Sequence, residues 1–477
     1  SFCIQKALQN IAHGDDPAGE GFAWQSDDGA VRIVADGPRG ALHGAYDLLE
    51  ALGFAWPAPG EAETVIPETP DELPAARPRQ SPALAGRSLI LGHHAFMASA
   101  ADWIVWAARN RLNTIFFHID EHGPGLGAVP AAQWQARRAE AVALARRYGL
   151  TLELGGHGLA ALLPRAAFED HPDWFPLRGG RREKRFNLNP LAPGALDAVR
   201  ANARAWLAAN PGFDVYHLWA DDLADGGWCE AAAAEGLSPS DQLMLATNAV
   251  AAELAAIAPG AMLAFLSYHD TEAPPRIPPA SNVAMTFAPR LRCYAAGIDA
   301  PHAVNAKYPA LFRDNAALYA GPGRVRVFEY WLDAILFKIV APPMVETIRR
   351  DLAFYAASGA HTVGALATGS MPSPASPGTL ASARKPSARR SAPMSSAPGF
   401  TCRPISRRWS APSRSTSTSV PRRPASRAGA PWRRPSPTRP PISAARSTSP
   451  PNGSARRRPA RSGRWTRWTR PNAFSRP

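Results

Sequence analysis

Acidic residues stop at Asp351. Residues 369–477 contain 23 Lys and Arg and not one Asp or Glu. The formal charge of +14 therefore misstates the rest of the chain, because residues 1–368 hold 30 basic against 39 acidic groups, a net −9. A basic total ordinarily suggests a nucleic-acid partner. Here the whole excess sits in the tail, and no such partner is expected once the tail is discounted. Long apolar runs are lacking too: no stretch approaches the ~20 residues that a membrane span requires. Cysteine is scarce. Cys3, Cys229, Cys293 and Cys402 are scattered, which leaves neither a readable disulfide framework nor a zinc motif. There is no initiator Met and no basic-then-apolar leader, so the start reads as truncated and no signal peptide is visible.

What the tail does contain is Pro, Ser, Arg and Ala, as in Arg422-Arg423-Pro424-Ala425 and Arg456-Arg457-Arg458-Pro459. That composition cannot bury enough apolar surface to offset chain entropy, so residues 369–477 are expected to be disordered. Two origins fit it. One is a genuine basic, Trp-dotted tail for RNA or an acidic surface. The other is an out-of-frame reading of GC-rich coding DNA, and the abrupt switch after Ala367-Thr368 favours this second origin.

Upstream the chain is organised. Residues 1–66 read as a small α/β unit: Phe22–Gln25 and Val31–Ala35 alternate as a hairpin, and Gly37-Pro38-Arg39-Gly40 turns into a helix over about 41–52. Residues 67–84 are Pro-rich and make a linker. Over 85–368 short buried strands alternate with helices, the pattern of parallel βα units. Strands are expected to begin near Ser88, Thr114, Thr151, Asp214, Met262, Val283, Val325 and Thr362. Helices are expected at about 98–111, 131–148, 194–209, 239–258 and 341–357, and the Pro-rich 270–281 connection should lack one. Eight strands in this length predict a (β/α)8 TIM-like barrel. Its eighth helix would fall where the tail begins, so the barrel reads as missing its last helix.

Each strand ends in polar groups that a buried strand does not need. The fourth is Tyr216-His217-Leu218-Trp219-Ala220-Asp221-Asp222, an apolar strand that stops at two adjacent carboxylates. Paired carboxylates at the C-terminal mouth of a barrel suit acid/base work, because two neighbouring acids do not ionise independently. Around them the other strand ends supply His118 and Asp120, Glu153 and His157, Tyr268, and Tyr330 with Trp331; Arg87 precedes the first strand. Acids, histidines and aromatics converging on one mouth suit a sugar.

Plainer readings stand beside each of these. Asp221 and Asp222 also fit an Asx turn leading to Gly226-Gly227. Glu153 with His157 fits a structural pair, Tyr330 and Trp331 fit packing, and Arg87 fits a partner for an acid at the strand base. His118-Ile119-Asp120-Glu121-His122 has an outline of metal ligands but reads more simply as hydrogen-bonded scaffold, so no metal is assigned. Gly123-Pro124-Gly125-Leu126-Gly127 lacks the Lys-Ser/Thr ending of a phosphate loop and reads as a turn.

The strand Tyr216–Asp222 resembles the Phe-His-Ile-Gly-Gly-Asp-Glu strand of glycoside hydrolase family 20, the β-N-acetylhexosaminidases. Glu153 and His157 resemble that family's acid and His on the third strand, His118 and Asp120 its second-strand cluster, and Arg87 its sugar-gripping arginine. Residues 20–57, with Pro38-Arg39-Gly40-Ala41-Leu42-His43-Gly44, resemble the small domain that precedes its barrel. Taken whole, residues 1–368 are most similar to a bacterial group that pairs this small domain with a barrel of unassigned function (domain of unknown function 4838). His171-Pro172-Asp173-Trp174-Phe175 and Trp228-Cys229 carry that likeness. The chain departs from family 20 where Asp222 replaces the catalytic Glu, and where Trp219 and Ala220 replace two glycines. Tandem Asp–Asp is similar to the family 84 glycosidases.

The resemblance implies substrate-assisted retaining hydrolysis of a terminal 2-acetamido sugar. Asp222 would be the general acid and Asp221 would orient the acetamido group. Tyr330 would donate to its carbonyl and Trp331 would wall the pocket. Arg87 and Glu153 would hold hydroxyls, while His157 and His217 orient the acids. No cofactor is implied, and the location would be periplasmic or extracellular. Two alternatives are a glycosidase for another sugar such as a uronic acid, with Arg290 and Arg292 near the mouth, and a degenerate, non-catalytic carbohydrate-binding barrel.

Overall fold

The computed structural model describes residues 3–4, 19–27, 30–68, 73–119, 131–185, 187–222, 227–333, 336–338 and 344–367. The chain divides into two units, 1–406 and 407–477. The second, with the tail expected to be disordered and the region of the missing eighth helix, lies outside the described residues. So do Asp120 and the Gly123–Gly127 turn.

A small sheet comes first: β1 (Cys3–Ile4), β2 (Phe22–Asp27), β3 (Ala30–Ala35) and, after helix α1 (Pro38–Ala51), β4 (Ala76–Gln80). The order is β1-β3-β2-β4, with the expected β2–β3 hairpin antiparallel from Phe22↔Ala35 to Asp27↔Ala30. Alternation sends Phe22, Trp24, Val31, Ile33 and Ala35 to one face, where α1 covers them with Leu48. Trp24 is buried there, and its Nε1 donates to Asp47 Oδ2 at 2.8 Å.

The barrel then runs β5 (Gly86–Leu91), α2 (His93–Arg109), β6 (Thr114–His118), α3 (Ala131–Arg147), β7 (Thr151–Gly156), α4 (Leu159–Leu162), a ribbon of β8 (Leu177–Arg178) and β9 (Arg181–Arg182), α5 (Ala195–Ala209) and β10 (Val215–Leu218). It continues through α6 (Glu230–Ala234), α7 (Pro239–Ile257), β11 (Met262–Ser267), β12 (Val283–Phe287), α8 (Tyr308–Ala316), β13 (Val325–Leu332), α9 (Val345–Ala357) and β14 (Thr362–Ala367). Eight parallel strands close in the order β10-β11-β12-β13-β14-β5-β6-β7. The TIM-like α/β barrel expected from the strand pattern is the fold. Between β11 and β12 the described chain forms only a short 3-10 turn, His269–Thr271. Helix α8 was not expected; it starts at Tyr308-Pro309 and spans 9 residues, too short for a clear apolar stripe. Helix α7 shows why the longer ones were legible: Ser238 and Asp241 form a reciprocal capping box before its apolar run.

Glu20, buried at the top of the small sheet, ties the sheet to the barrel. Its carboxylate accepts from Arg39 Nη1 at 2.7 Å, Arg87 Nη2 at 2.5 Å and Asn113 Nδ2 at 2.9 Å. Burial, the largest influence, pushes the carboxyl up, but Arg87, Arg39 and Asn113 outweigh it and hold it below its ordinary value.

Candidate active site at the barrel mouth

Strand alternation sorts the side chains. On β13, Arg326, Phe328 and Tyr330 face the barrel interior, so Glu329 and Trp331 face outward onto α9. Trp331 Nε1 donates to Asp351 Oδ2 at 3.0 Å, and Tyr355 Oη donates to Glu329 Oε1 at 2.6 Å. Arg292 joins this cluster behind the strand, bridging Glu329 at 3.3 Å and also pairing with Asp351. Two expectations are corrected by this. Trp331 does not wall the pocket, and Arg292 does not stand at the mouth.

Inside the barrel the lowest charged layer is Glu153, His217 and Arg326. Arg326 Nη2 pairs with Glu153 Oε1, and His217 Nε2 lies 2.9 Å from Glu153 Oε2. All three are buried. Burial works against the Glu153 carboxylate, but Arg326 and His217 outweigh it and hold its pKa below the ordinary value. Burial likewise depresses the His217 pKa, against the pull of Glu153. Strand β7 approaches β10 very closely here. A Cβ on Gly155, whose φ is +125°, would stand 1.9 Å from the His217 carbonyl oxygen, so only glycine fits.

Above this layer lies an aromatic floor. Trp219 is central, with ring centroids 5.7 Å from Phe116, 5.7 Å from His118, 5.9 Å from Phe328 and 5.5 Å from His157. The floor separates Glu153 and His217 from the carboxylates. The expected roles of Glu153 in holding a hydroxyl and of His217 in orienting the acids give way to a structural pair, because both side chains point into the core. His118 belongs to the floor.

At the top are the two acids, each with its own surroundings. The Asp221 N–H donates to Asn187 Oδ1 at 2.8 Å, and Arg165 lies within electrostatic range of its carboxylate. Arg165 is braced by the carbonyls of Ala160 and Leu163 at 3.1 and 2.7 Å. Asp222 is 60% exposed. Its Oδ1 accepts from Tyr268 Oη at 3.1 Å and lies 3.7 Å from His269 Nε2. His157 Nδ1 lies 2.6 Å from the Ala220 carbonyl oxygen; a carbonyl only accepts, so Nδ1 carries the proton and steadies the backbone entering Asp221. Across the mouth, Arg290 donates to Asp333 Oδ2 at 2.8 Å and covers the Tyr330 ring at 5.2 Å. Burial raises the hydroxyl pKa of both Tyr268 and Tyr330, keeping them protonated donors.

Arg87 is elsewhere. It opens β5 at the barrel base, where its Nε and Nη1 donate to the Arg111 and Leu84 carbonyls at 3.0 and 2.9 Å and its Nη2 pairs with Glu20. The strand-base alternative holds, and the expectation of a sugar-gripping arginine is corrected. Asp221, Asp222, His157, Tyr268 and Tyr330 do come together at the mouth. His269 and Asp333, which stand just past the ends of the fifth and seventh strands, join them, as do Arg165 and Asn187, which reach the site from segments with no local pattern. Among the described residues no group of three or more His, Cys, Asp and Glu could hold a metal, and no helix is long and apolar enough to cross a membrane.

No curated protein matches the chain. Among solved structures it is similar to a β-N-acetylhexosaminidase from Bacteroides fragilis NCTC 9343, at 15% identity over 69% of this chain and 64% of that one, with a TM-score of 0.43. It is also similar to a glycoside hydrolase family 20 β-N-acetylglucosaminidase, at 15% identity over 76% and 77% of the two chains, TM-score 0.46. A third is the family 20 β-N-acetylhexosaminidase from Streptomyces coelicolor A3(2), at 16% identity over 76% and 74%, TM-score 0.42. The chain spans just under two thirds of the Bacteroides enzyme. The family model described as a domain of unknown function (DUF4838) matches residues 64–378. That match takes in well over half of the 477 residues, and the chain belongs to the DUF4838 family.

Proposed function

We propose that the barrel mouth hydrolyses the glycosidic bond of a terminal sugar, with Asp222 as the proton donor and acceptor. The observation that carries this reading is the setting of Asp222: a solvent-facing carboxylate at the C-terminal end of β10, steadied by the Tyr268 hydroxyl. The substrate we favour is a 2-acetamido sugar. Its carbonyl oxygen attacks the anomeric carbon while the bond to the leaving oxygen breaks and takes the Asp222 proton. Asp221, beside Arg165, supports the positive charge that develops on the cyclised acetamido group. Water then gives its proton back to Asp222 and opens the ring. Tyr330 is the donor for the acetamido carbonyl, and Trp219 is the apolar floor.

Arg290, 26% exposed at the mouth, favours a second reading in which the sugar carries a carboxylate. Both are tested with aryl N-acetylglucosaminide, N-acetylgalactosaminide and glucuronide, using wild type and Asp222→Asn. Release from an acetamido sugar, reduced about 10²–10⁴-fold in the variant, supports the first reading. Release from the glucuronide alone moves the substrate to the second. Silence on all three with glycan binding retained leaves a non-catalytic carbohydrate-binding barrel.

A further inference from the structure

Tyr268 and His269 are consecutive residues at the end of β11, yet both reach the same oxygen, Asp222 Oδ1. Extended backbone cannot do this, because neighbouring side chains on a strand leave on opposite faces. The chain achieves it by turning His269 into the left-handed region, at φ +50°, which L-residues adopt uncommonly. The turn is pinned locally. The Thr271 hydroxyl lies 2.8 Å from the Tyr268 carbonyl and 2.9 Å from that of Leu266, and the Glu272 N–H donates to the His269 carbonyl at 3.2 Å. The two rings stand 3.7 Å apart, centroid to centroid, and the His269 side chain is mostly buried. An uncommon backbone conformation that aims a largely covered imidazole at an exposed carboxylate is a feature to connect with function.

We propose that His269 is a positioning residue for Asp222. Together with Tyr268 it fixes the carboxylate's orientation, and the coupling is reciprocal because the carboxylate acts on the imidazole. The catalytic part of this inference rests on the reading of Asp222 as the acid, whereas the coupling does not. The groups acting on His269 are Asp222 from the β10 end, Arg290 from the β12 end, His157 from the β7 end and Lys307 ahead of α8. Burial, the largest influence, depresses its pKa; Asp222 opposes that, and Arg290, His157 and Lys307 reinforce it. The Asp222 carboxylate, 3.7 Å from Nε2, therefore favours the protonated form of the His269 imidazole.

The first test needs no substrate. The His269 titration is followed by NMR in the wild type and in Asp222→Asn, with His269→Asn to assign the resonance. Asn tolerates left-handed backbone, so that variant keeps the turn. The expected result is a midpoint lower by roughly half a unit or more in Asp222→Asn, because the carboxylate that favours the charged ring is gone. An unchanged midpoint overturns the coupling whether or not the protein is an enzyme. On a substrate that the wild type turns over, His269→Asn should lower kcat at least about tenfold, change KM less than about threefold and reshape the pH profile of kcat. Unaltered kcat and pH profile in His269→Asn, in an otherwise active protein, overturn the positioning role and leave the assignment of Asp222 standing.

Discussion

Glu153 and Arg326 form an ion pair across the axis of the barrel. They belong to β7 and β13, which stand four places apart in the ring of eight strands, so the pair joins opposite walls. Removing one partner leaves the other charged and buried. Glu153→Ala should cost about 3–5 kcal/mol, and Glu153→Leu combined with Arg326→Met should recover most of that. Urea unfolding midpoints of the single and double variants check it. Loss of substrate affinity at unchanged stability would instead return Glu153 to the substrate. The pH dependence has a definite sign. The Glu153 pKa is lowered in the fold, so its contribution is complete above the ordinary carboxylate value of about 4.5 and disappears as pH falls through the folded value. The double variant should lose less stability on acidification than the wild type.

Arg87 is predicted to act on stability alone. Arg87→Ala removes one of the cations around the buried Glu20 carboxylate and should cost about 1–3 kcal/mol. KM for any substrate should be unchanged. A large rise in KM with an unshifted unfolding midpoint would contradict the placement at the barrel base.

Tyr330 and Trp331 should behave oppositely, although they are adjacent. Trp331→Phe deletes the donor to Asp351 and should lower stability by about 1–2 kcal/mol without altering turnover. Tyr330→Phe, at the mouth beside Arg290, should leave the unfolding midpoint nearly in place and reduce kcat/KM at least about tenfold. Steady-state kinetics beside thermal unfolding of both variants decides the matter.

Glu329 should make the fold lose stability as pH rises from mildly acidic to neutral. Burial pushes its pKa up to about 7; Arg292 opposes this and Asp351 adds to it. A carboxyl whose folded value is raised stabilises most below its unfolded value of about 4.5, and that contribution is lost as pH rises through about 7. The wild-type unfolding midpoint should therefore decline between about pH 4.5 and 7 more steeply than that of Glu329→Gln, and the two should run parallel above that range. Curves parallel throughout would refute the assignment.

The sequence exposed the barrel because its signal is repeated. Each of the eight strands is a short apolar run bounded by turn residues, and every expected start lies within two residues of an observed one. Depth and direction were harder to read. Glu153 and His217 are the third residues of β7 and β10 and lie beneath the Trp219 floor, whereas Asp222 comes four residues after β10 ends and lies above it. The difference depends on position within the strand, which polar character alone does not show. Glu329, Tyr330 and Trp331 look alike as a polar-aromatic cluster, and only the parity of β13 in the closed ring separates the mouth from the helix side. Arg87 begins its strand rather than ending it, which by itself points to the barrel base. His269 stands at a legible strand end, but Arg165 and Asn187 could not be found from local pattern, since each reaches the acids through a segment whose course is set by tertiary packing.

The ring closes between β14 and β5, in register from Thr362↔Gly86 to Ala367↔Leu91. Six residues almost 280 positions downstream of β5 thus complete a structure begun at Gly86. A chain cut just before Thr362 would keep seven strands and gain two raw edges, each with unpaired backbone donors and acceptors ready to recruit another molecule. Such a truncation should give aggregates instead of a smaller soluble domain, and partial digestion should not trim the barrel strand by strand. The last barrel strand is thus what leaves the sheet without an open edge.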